Sequence, residues 1–519
     1  MNRILISVYD KTGLVELAQK LTEKYNYEII STGGTYKFLK ENKINVIEIS
    51  EITGFAEILE GRVKSLHPAI HGGILVKRND EKNIEEMKNK NIKPIDMVIV
   101  NLYPFTEMAK NQQQELSELI EYIDIGGVAL LRAGAKNFND VTTVCCIEDY
   151  LKLLNNLEEN NGQTSIDFRK ELAVKTFQYT STYDGIISTE LASRLLRYSE
   201  QVQDDTLPDL LNIKINKIQD LRYGENPHQK AALYNRNDSI SFDLLNGKEL
   251  SFNNITDMSA AYNLVSEFLG VSAVSIIKHN NPCGVAIGEN ISDAYQKALN
   301  CDPISAFGGI IAANEPITSQ AAKLMKDIFL EVIIAPDFEP EALEILQQKK
   351  NLRLVKVNAS LPDYRISQLL DIKELPFGVL AQTADKKELD KDFFKVVTTH
   401  KPTESQVEDM IFAWKVAKHM KSNAIVVAKD KKTLGLGSGQ TSRIGSMEIA
   451  LNSACDETTG AVIASDGFFP AVDNIYAAAQ ARIGAIIQPG GSIKDDEVIA
   501  ECNKYNIAMI TTSIRHFKH

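Results

Sequence analysis

No uninterrupted apolar run in the 519 residues approaches the ~18–20 that a membrane-spanning helix requires. Positive charge is also short. Lys and Arg number 57 against 69 Asp and Glu, a formal net charge of −12, which argues against a surface built to coat nucleic acid or an anionic membrane. An anionic small ligand would therefore need a locally basic pocket. The six cysteines, Cys145, Cys146, Cys283, Cys301, Cys455 and Cys502, contain no CxxC pair. Neither a disulfide framework nor a structural zinc site is expected, and the thiols read as reduced and mostly buried. With 29 Gly and 15 Pro there is no collagen-like or low-complexity stretch. No GxxxxGK followed by Ser or Thr occurs, and Gly435-Leu436-Gly437-Ser438-Gly439 lacks the GxGxxG spacing. P-loop triphosphate hydrolysis and Rossmann hydride transfer therefore lose support. The opening MNRILISVYDKTG turns polar too soon for a signal peptide and reads as a first strand, so a cytoplasmic protein is expected.

The content that is present, 44% hydrophobic and 24% charged, is that of a globular chain with material for more than one core. RILISV, YEIIS, NVIEI, DMVIVNL and VTTVCCI read as buried strands separated by helical stretches, among them LVELAQKLTEKY, TYKFLKEN and the regions near 113–122 and 128–134. Short apolar strands alternating with helices predict a parallel, helix-covered α/β domain over 1–197. Residues 198–220 turn polar and irregular and are expected to be a linker, with a second α/β domain over 221–519. Within it, SAVSIIKHNNPCGVAIG followed by SAFGGIIAANEPITSQAAKL is echoed by SNAIVVAKDKKTLGLGSG followed by TGAVIASDGFFPAVDNIYAAAQ. Either the likeness is chance between α/β segments, or the C-terminal part holds two related subdomains.

Two loops in the first domain each follow a strand and open a helix: Ser7 to Gly13, with Lys11 and Thr12, and Ser31 to Thr35, with Gly33. Ligands of parallel α/β sheets bind beyond the carboxyl ends of strands, where helix N-termini offer free N–H groups to a phosphate. Arg62, Lys64, Asn101, Tyr103, Asp124, Arg132 and Lys136 fall at similar strand and helix ends. A lone Lys or Asp at such a place is usually solvated or a cap; their combination with Gly-Gly and Tyr-Pro turns sets these apart. GRVKSLHPAIHGGIL, NLYPF and IDIGGVALLRAGAKNF resemble the inosine monophosphate cyclohydrolase domain, which is similar in fold to methylglyoxal synthase. The resemblance implies that Lys64, Tyr103, Asp124 and Lys136 close the purine ring, with Asp124 either holding the carboxamide or polarising Lys136. It implies that Lys11, Thr12, Ser31, Gly33, Thr35, Arg62 and Asn101 handle the nucleotide.

In the second domain, Arg222-Tyr223-Gly224 opens a polar turn, and a strand ends in Lys278-His279 before Asn280-Asn281-Pro282-Cys283-Gly284. An isolated His is more often structural, yet this one stands at a strand end beside a Lys and before a tight turn. The Pro-Cys step lacks the second cysteine and the H-x-E of zinc deaminases, since residue 286 is Ala. IIKHNNPCG, DPISAFGG, GSGQTSRI, SDGFFPAVDN and the RHFKH ending resemble the transformylase domain, whose fold is cytidine-deaminase-like without the zinc. The resemblance thus spans nearly the whole chain and points to the aminoimidazolecarboxamide ribonucleotide (AICAR) transformylase and cyclohydrolase family. It implies transfer of a formyl group from 10-formyltetrahydrofolate to AICAR, then closure of formyl-AICAR to inosine monophosphate, by a homodimer with no tightly bound cofactor. Lys278 and His279 become the catalytic pair, Asn423 orients formyl and amine, and Arg222, Tyr223, Glu331, Arg443 and Arg515 bind nucleotide. Phe468-Phe469 offers either a folate wall or core rings. A monovalent cation is compatible with the family, and no ligand pattern demands one. A methylglyoxal synthase-like lyase explains only the first domain, and a nucleotide-sensing module predicts a pocket without reactive residues.

Overall fold

The computed structural model describes residues 2–59, 62–111, 114–195, 207, 210–235, 241–358, 370–389 and 394–519. The chain divides into two compact units, Met1–Lys214 and Ile215–His519. Gly61 and much of the expected linker (198–206, 208 and 209) lie outside the described residues.

In the first unit, β1 (Arg3–Val8), β2 (Glu28–Ser31), β3 (Val46–Glu48), β4 (Met97–Asn101) and β5 (Thr142–Val144) form a parallel sheet in the order β3-β2-β1-β4-β5. Successive side chains leave opposite faces of a strand. Ile4, Ile6, Met97 and Ile99 therefore enter one core with Leu14 and Leu17 of the Leu14–Gln19 helix. Leu5, Val98 and Val100 enter the other, with Leu130 and Leu131 of the Gly126–Lys136 helix. This two-sided burial is why the strands read as unbroken apolar runs. The strand order reverses between β1 and β4, so the loops that follow them diverge and leave a crevice at their carboxyl ends.

The second unit opens with β6 (Asn216–Leu221) and β7 (Ala231–Asn235), an antiparallel ribbon. The sequence had placed residues 216–220 in the linker; polar side chains on this thinly covered ribbon hide the strand from a hydropathy reading. β8 (Phe242–Asn246), β9 (Ser272–Lys278), β10 (Asn281–Gly288), β11 (Ile310–Ala313), β12 (Val332–Ala335) and β13 (Arg353–Val357) follow. Next come β14 (Leu370–Leu375) and β15 (Gly378–Thr383), which pair with each other, and β16 (Lys395–Val396). β17 (Ile425–Lys429), β18 (Lys432–Gly437), β19 (Val462–Ser465), β20 (Ala485–Gln488) and β21 (Ala508–Thr511) complete the set. One 12-stranded sheet results, in the order β16-β21-β20-β19-β17-β18-β10-β9-β11-β12-β13-β8.

The sheet is internally repeated about the antiparallel contact of β10 with β18. Outward from it, β9, β11, β12 and β13 on one side match β17, β19, β20 and β21 on the other, with the same strand directions. Each hairpin is followed by a helix, Ile291–Leu299 or Arg443–Ala454, pressed onto its second strand. A Cβ at Gly284 would stand 1.9 Å from the Ala298 carbonyl oxygen, and one at Gly435 1.9 Å from that of Ala450. The echo in the sequence is thus a repeated structural unit. One face of the sheet is covered by the Phe252–Val265 and Glu404–Lys418 helices, with Trp414 in the core between. Because β10 and β18 run antiparallel, the β9–β10 turn shares a sheet edge with the end of β18 and the start of β17.

Candidate active sites

The crevice of the first unit is a cavity of about 670 Å³, a size suited to a nucleotide-scale ligand. At its base the Asn101 amide clamps the loop after β1: its Oδ1 accepts from the Tyr9 and Asp10 N–H groups at 2.6 and 3.0 Å, and its Nδ2 donates to the Asp10 carbonyl. The start of the Gly33–Glu41 helix lines the cavity with Gly33, Gly34 and Thr35, and the start of the Gly126–Lys136 helix with Gly126 and Gly127. The start of the Gly33–Glu41 helix, with Lys11, Arg62 and Lys64 beside it, forms the locally basic pocket that the acidic chain needs to take an anion. Gly33 has φ +40°, and a Cβ there would stand 3.5 Å from the Lys64 ammonium.

Tyr103 reaches the cavity with its ring edge-on to Tyr9, centroids 5.5 Å apart. The Asp124 carboxylate accepts the Gly127 N–H at 2.7 Å. Burial pushes this carboxyl above the ordinary carboxylate range, opposed by the Gly127 N–H and the Lys64 charge. Arg62 is ion-paired with Glu121 at the cavity wall.

Not every residue picked from the sequence lines this cavity. Ser31 is buried and its hydroxyl donates to the Ile6 carbonyl, so it ties β2 to β1. Thr12 bonds back to Asp10 within its own loop; Thr35 does line the cavity, with its hydroxyl bridging the N–H and carbonyl of Val8. Lys136 is exposed at the far end of the Gly126–Lys136 helix, about 15 Å along the axis from the cavity. In turn, the cavity holds Lys37 and Glu57, which were missed. Lys37 lies four residues after Gly33, one helical turn on the same face, and that spacing could have revealed it; Glu57 carries no such signal.

In the second unit, β9 ends at Lys278, and His279 and Asn280 make the two-residue turn into β10. Both have left-handed φ, +53° and +60°, as a type I′ hairpin turn requires. Lys278 Nζ donates to the Phe307 carbonyl at 2.8 Å. Asn281 accepts from the Ser438 hydroxyl at 2.8 Å, and this bond joins the turn to the loop after β18 in the other repeat. That loop leads to Asn423, whose side chain donates to the Gln440 carbonyl and accepts from Arg443 Nη2 at 2.8 Å. The peptide bond before Asn423 is cis. Lys278, His279 and Asn423 therefore share one edge.

Arg443, expected at the nucleotide, is only 6% exposed. Its guanidinium donates to Asn423, Ser465 and Asp466, and its bond to Asn423 ties it to this edge. The C-terminal tail is anchored here, as the strand-like AMITT suggested. The Ser422 N–H donates to the Lys518 carbonyl and its hydroxyl accepts the Lys518 N–H. Arg515 stacks on Phe517, which faces Gly467. Phe468 is partly exposed, whereas Phe469 is fully buried, so one of the two rings is core. Glu331 stands at the start of β12 on the same edge, ion-paired with Arg353 at 2.7 Å. Arg222 and Tyr223 lie on the exposed loop after β6, which the Asn253 side chain ties to the Phe252–Val265 helix through the Glu225 carbonyl at 3.4 Å. Among the described residues no group of three or more His, Cys, Asp or Glu is placed to hold a metal ion, and no helix is long and apolar enough to cross a membrane.

Comparison with known proteins places both units. A profile described as MGS-like domain matches residues 13–129, and one described as AICARFT/IMPCHase bienzyme matches residues 134–453. The class is therefore a two-activity enzyme with an MGS-like first domain. Bifunctional purine biosynthesis protein PurH of Caldicellulosiruptor saccharolyticus is 49% identical, covering 100% of this chain and 99% of that protein. The proteins of the same name from Oceanobacillus iheyensis and Acetivibrio thermocellus are 46% and 48% identical, over 100% of this chain and 99% and 100% of theirs. A solved structure of ForH, 32% identical, covers 37% of this chain and 97% of itself with a TM-score of 0.34. The chain belongs to the AICARFT/IMPCHase bienzyme family. It carries the formyltransferase and cyclohydrolase activities of purine biosynthesis.

Proposed function

We propose that the two reactions run at two separate places, ring closure in the β1/β4 cavity and formyl transfer at the Lys278–His279 edge. In the transfer, the 5-amino nitrogen of AICAR attacks the formyl carbon of 10-formyltetrahydrofolate. The new C–N bond forms as the bond from that carbon to the folate nitrogen breaks. His279 accepts the proton the amine loses, and Lys278 stabilises the oxyanion and supplies the proton the departing folate nitrogen takes. Asn423, held by Arg443, orients formyl and amine, and Arg222, Tyr223, Glu331, Phe468 and Arg515 line the approach of nucleotide and folate. The observation that carries this reading is the type I′ turn, which sets Lys278 and His279 beside the loop leading to Asn423.

In the cavity, the carboxamide nitrogen of formyl-AICAR attacks its own formyl carbon, and water leaves as the ring closes. Both partners belong to one molecule, so a held near-attack geometry and proton movement suffice. Lys64, Tyr103 and Asp124 supply the proton-handling groups; Lys11, Arg62 and the start of the Gly33–Glu41 helix bind the phosphate. Lys136 takes no part in the steps within its own chain. The enzyme works in the cytoplasm as a homodimer, which agrees with the bare apolar tip of the β14–β15 hairpin, where Phe377 is fully exposed. Supplying AICAR and 10-formyltetrahydrofolate should yield tetrahydrofolate and inosine monophosphate, and supplying formyl-AICAR alone should yield the monophosphate. Failure of the first with success of the second, in folded protein, would refute the formyl-transfer half.

A further inference from the structure

His279 occupies an unfavourable backbone region. Left-handed φ crowds a Cβ against the following carbonyl oxygen, and I′ turns are usually built from Asn or Asp followed by Gly; here His279 and Asn280 fill both places. One side chain answers this strain. Asp257, on the Phe252–Val265 helix, accepts the Asn280 N–H at 2.7 Å and the His279 N–H at 3.3 Å, one on each carboxylate oxygen.

The repeat supplies a twin. On the Glu404–Lys418 helix, Asp409 accepts the N–H groups of Asp430 and Lys431 at 3.0 and 2.7 Å, in the turn between β17 and β18. Those residues have φ +53° and +54°. The match extends to the preceding lysine: Lys429 donates to the Thr459 carbonyl as Lys278 does to that of Phe307. The twin turn lies on the opposite edge of the sheet and carries Asp430 where the first carries His279. The clamp is therefore common scaffold, and only one copy holds an imidazole.

We propose that Asp257 is a positioning residue for formyl transfer, fixing the turn so that His279 meets the attacking amine. This rests on the role given to His279. A displacement of about 1 Å at a reacting group can cost on the order of 100-fold in rate. D257N, which keeps one acceptor oxygen and turns the other atom into a donor, should lower kcat for formyl transfer about 10- to 100-fold, with KM for both substrates within about twofold. Cyclisation of supplied formyl-AICAR should be unchanged. D409N removes the same clamp from the twin turn and should leave formyl-transfer kcat within about twofold of wild type. N280G relieves the left-handed strain at the second turn position without the carboxylate, so D257N/N280G should recover part of the lost kcat. Wild-type kcat in D257N, an equal loss in D409N, or no recovery in the double variant would each overturn the proposal. H279A separates it from its premise: full activity there would refute the role of His279 itself.

Discussion

The Ser438 hydroxyl donates to the side-chain oxygen of Asn281 across 2.8 Å, and with that bond the two halves of a repeated sheet meet at one edge. The Lys421 carbonyl stands 3.1 Å from the same hydroxyl and competes for its one proton, so the loop after β18 lies between the neighbouring hairpin and the segment that leads into β17. S438A removes the tie without adding bulk. A bond of this kind contributes about 0.5–1.5 kcal/mol. Formyl transfer should fall several-fold and cyclisation stay at the wild-type rate, measured with AICAR and with formyl-AICAR separately.

Gly467 sits between the Arg443 guanidinium and the Phe517 ring. A Cβ at this position would lie 2.6 Å from Arg443 Nη2 and 2.5 Å from the Phe517 ring. G467A must displace one or both, and Arg443 is what holds Asn423. Kinetics of this variant should show formyl transfer reduced at least tenfold, while the melting temperature drops by only a few degrees.

Asp124 sets stability against chemistry. Its folded-state pKa is raised, chiefly by burial, so the ionised form is penalised at every pH above the unfolded value, and the penalty fades as pH falls through that value. D124N removes the charge and keeps an oxygen to accept the Gly127 N–H. Thermal melts at pH 7 should show a first unit at least as stable as wild type, while cyclisation falls about 100-fold. In the wild type, cyclisation should fail on acidification at a higher pH than an ordinary aspartate would give.

A buried ion group braces the second unit. Glu267 Oε1 accepts from Lys418 Nζ at 2.9 Å and from His419 Nε2 at 3.1 Å. Burial alone would raise the Glu267 carboxyl, but the His419 and Lys418 contacts outweigh it and hold the group far below the usual glutamate range. Burial lowers the His419 pKa, opposed by its contact with the Glu267 carboxylate. A depressed carboxylate contributes stability above its unfolded pKa of about 4.3 and loses it as pH falls through the folded value. E267Q strands the Lys418 ammonium and should cost about 3–5 kcal/mol at pH 7. Melts from pH 7 to 3 should show that gap narrowing once the pH passes below the ordinary glutamate value.

Much of this was legible in the sequence because it depends on local pattern. The strands of the first sheet are buried on both faces and announce themselves as apolar runs; Lys278-His279 stands where a strand meets a turn. β6 escaped because a polar two-stranded ribbon has no hydropathy contrast. That the Ser31 and Thr35 hydroxyls bond to the first strand was not legible, because a hydroxyl in a loop looks the same whether it faces a ligand or ties down a neighbouring strand. Asp257 was invisible for a related reason. One acid on an amphipathic helix has no distinguishing neighbours, and only the fold brings it to the turn.

The most direct test of two separate sites is a paired assay of K64A and K278A, each given AICAR with 10-formyltetrahydrofolate and, separately, formyl-AICAR. K278A should form no formylated nucleotide, with transfer down at least about 100-fold, yet cyclise formyl-AICAR normally. K64A should accumulate formyl-AICAR and release little inosine monophosphate. Loss of both activities in either folded variant, or undiminished monophosphate from K64A, would contradict the account.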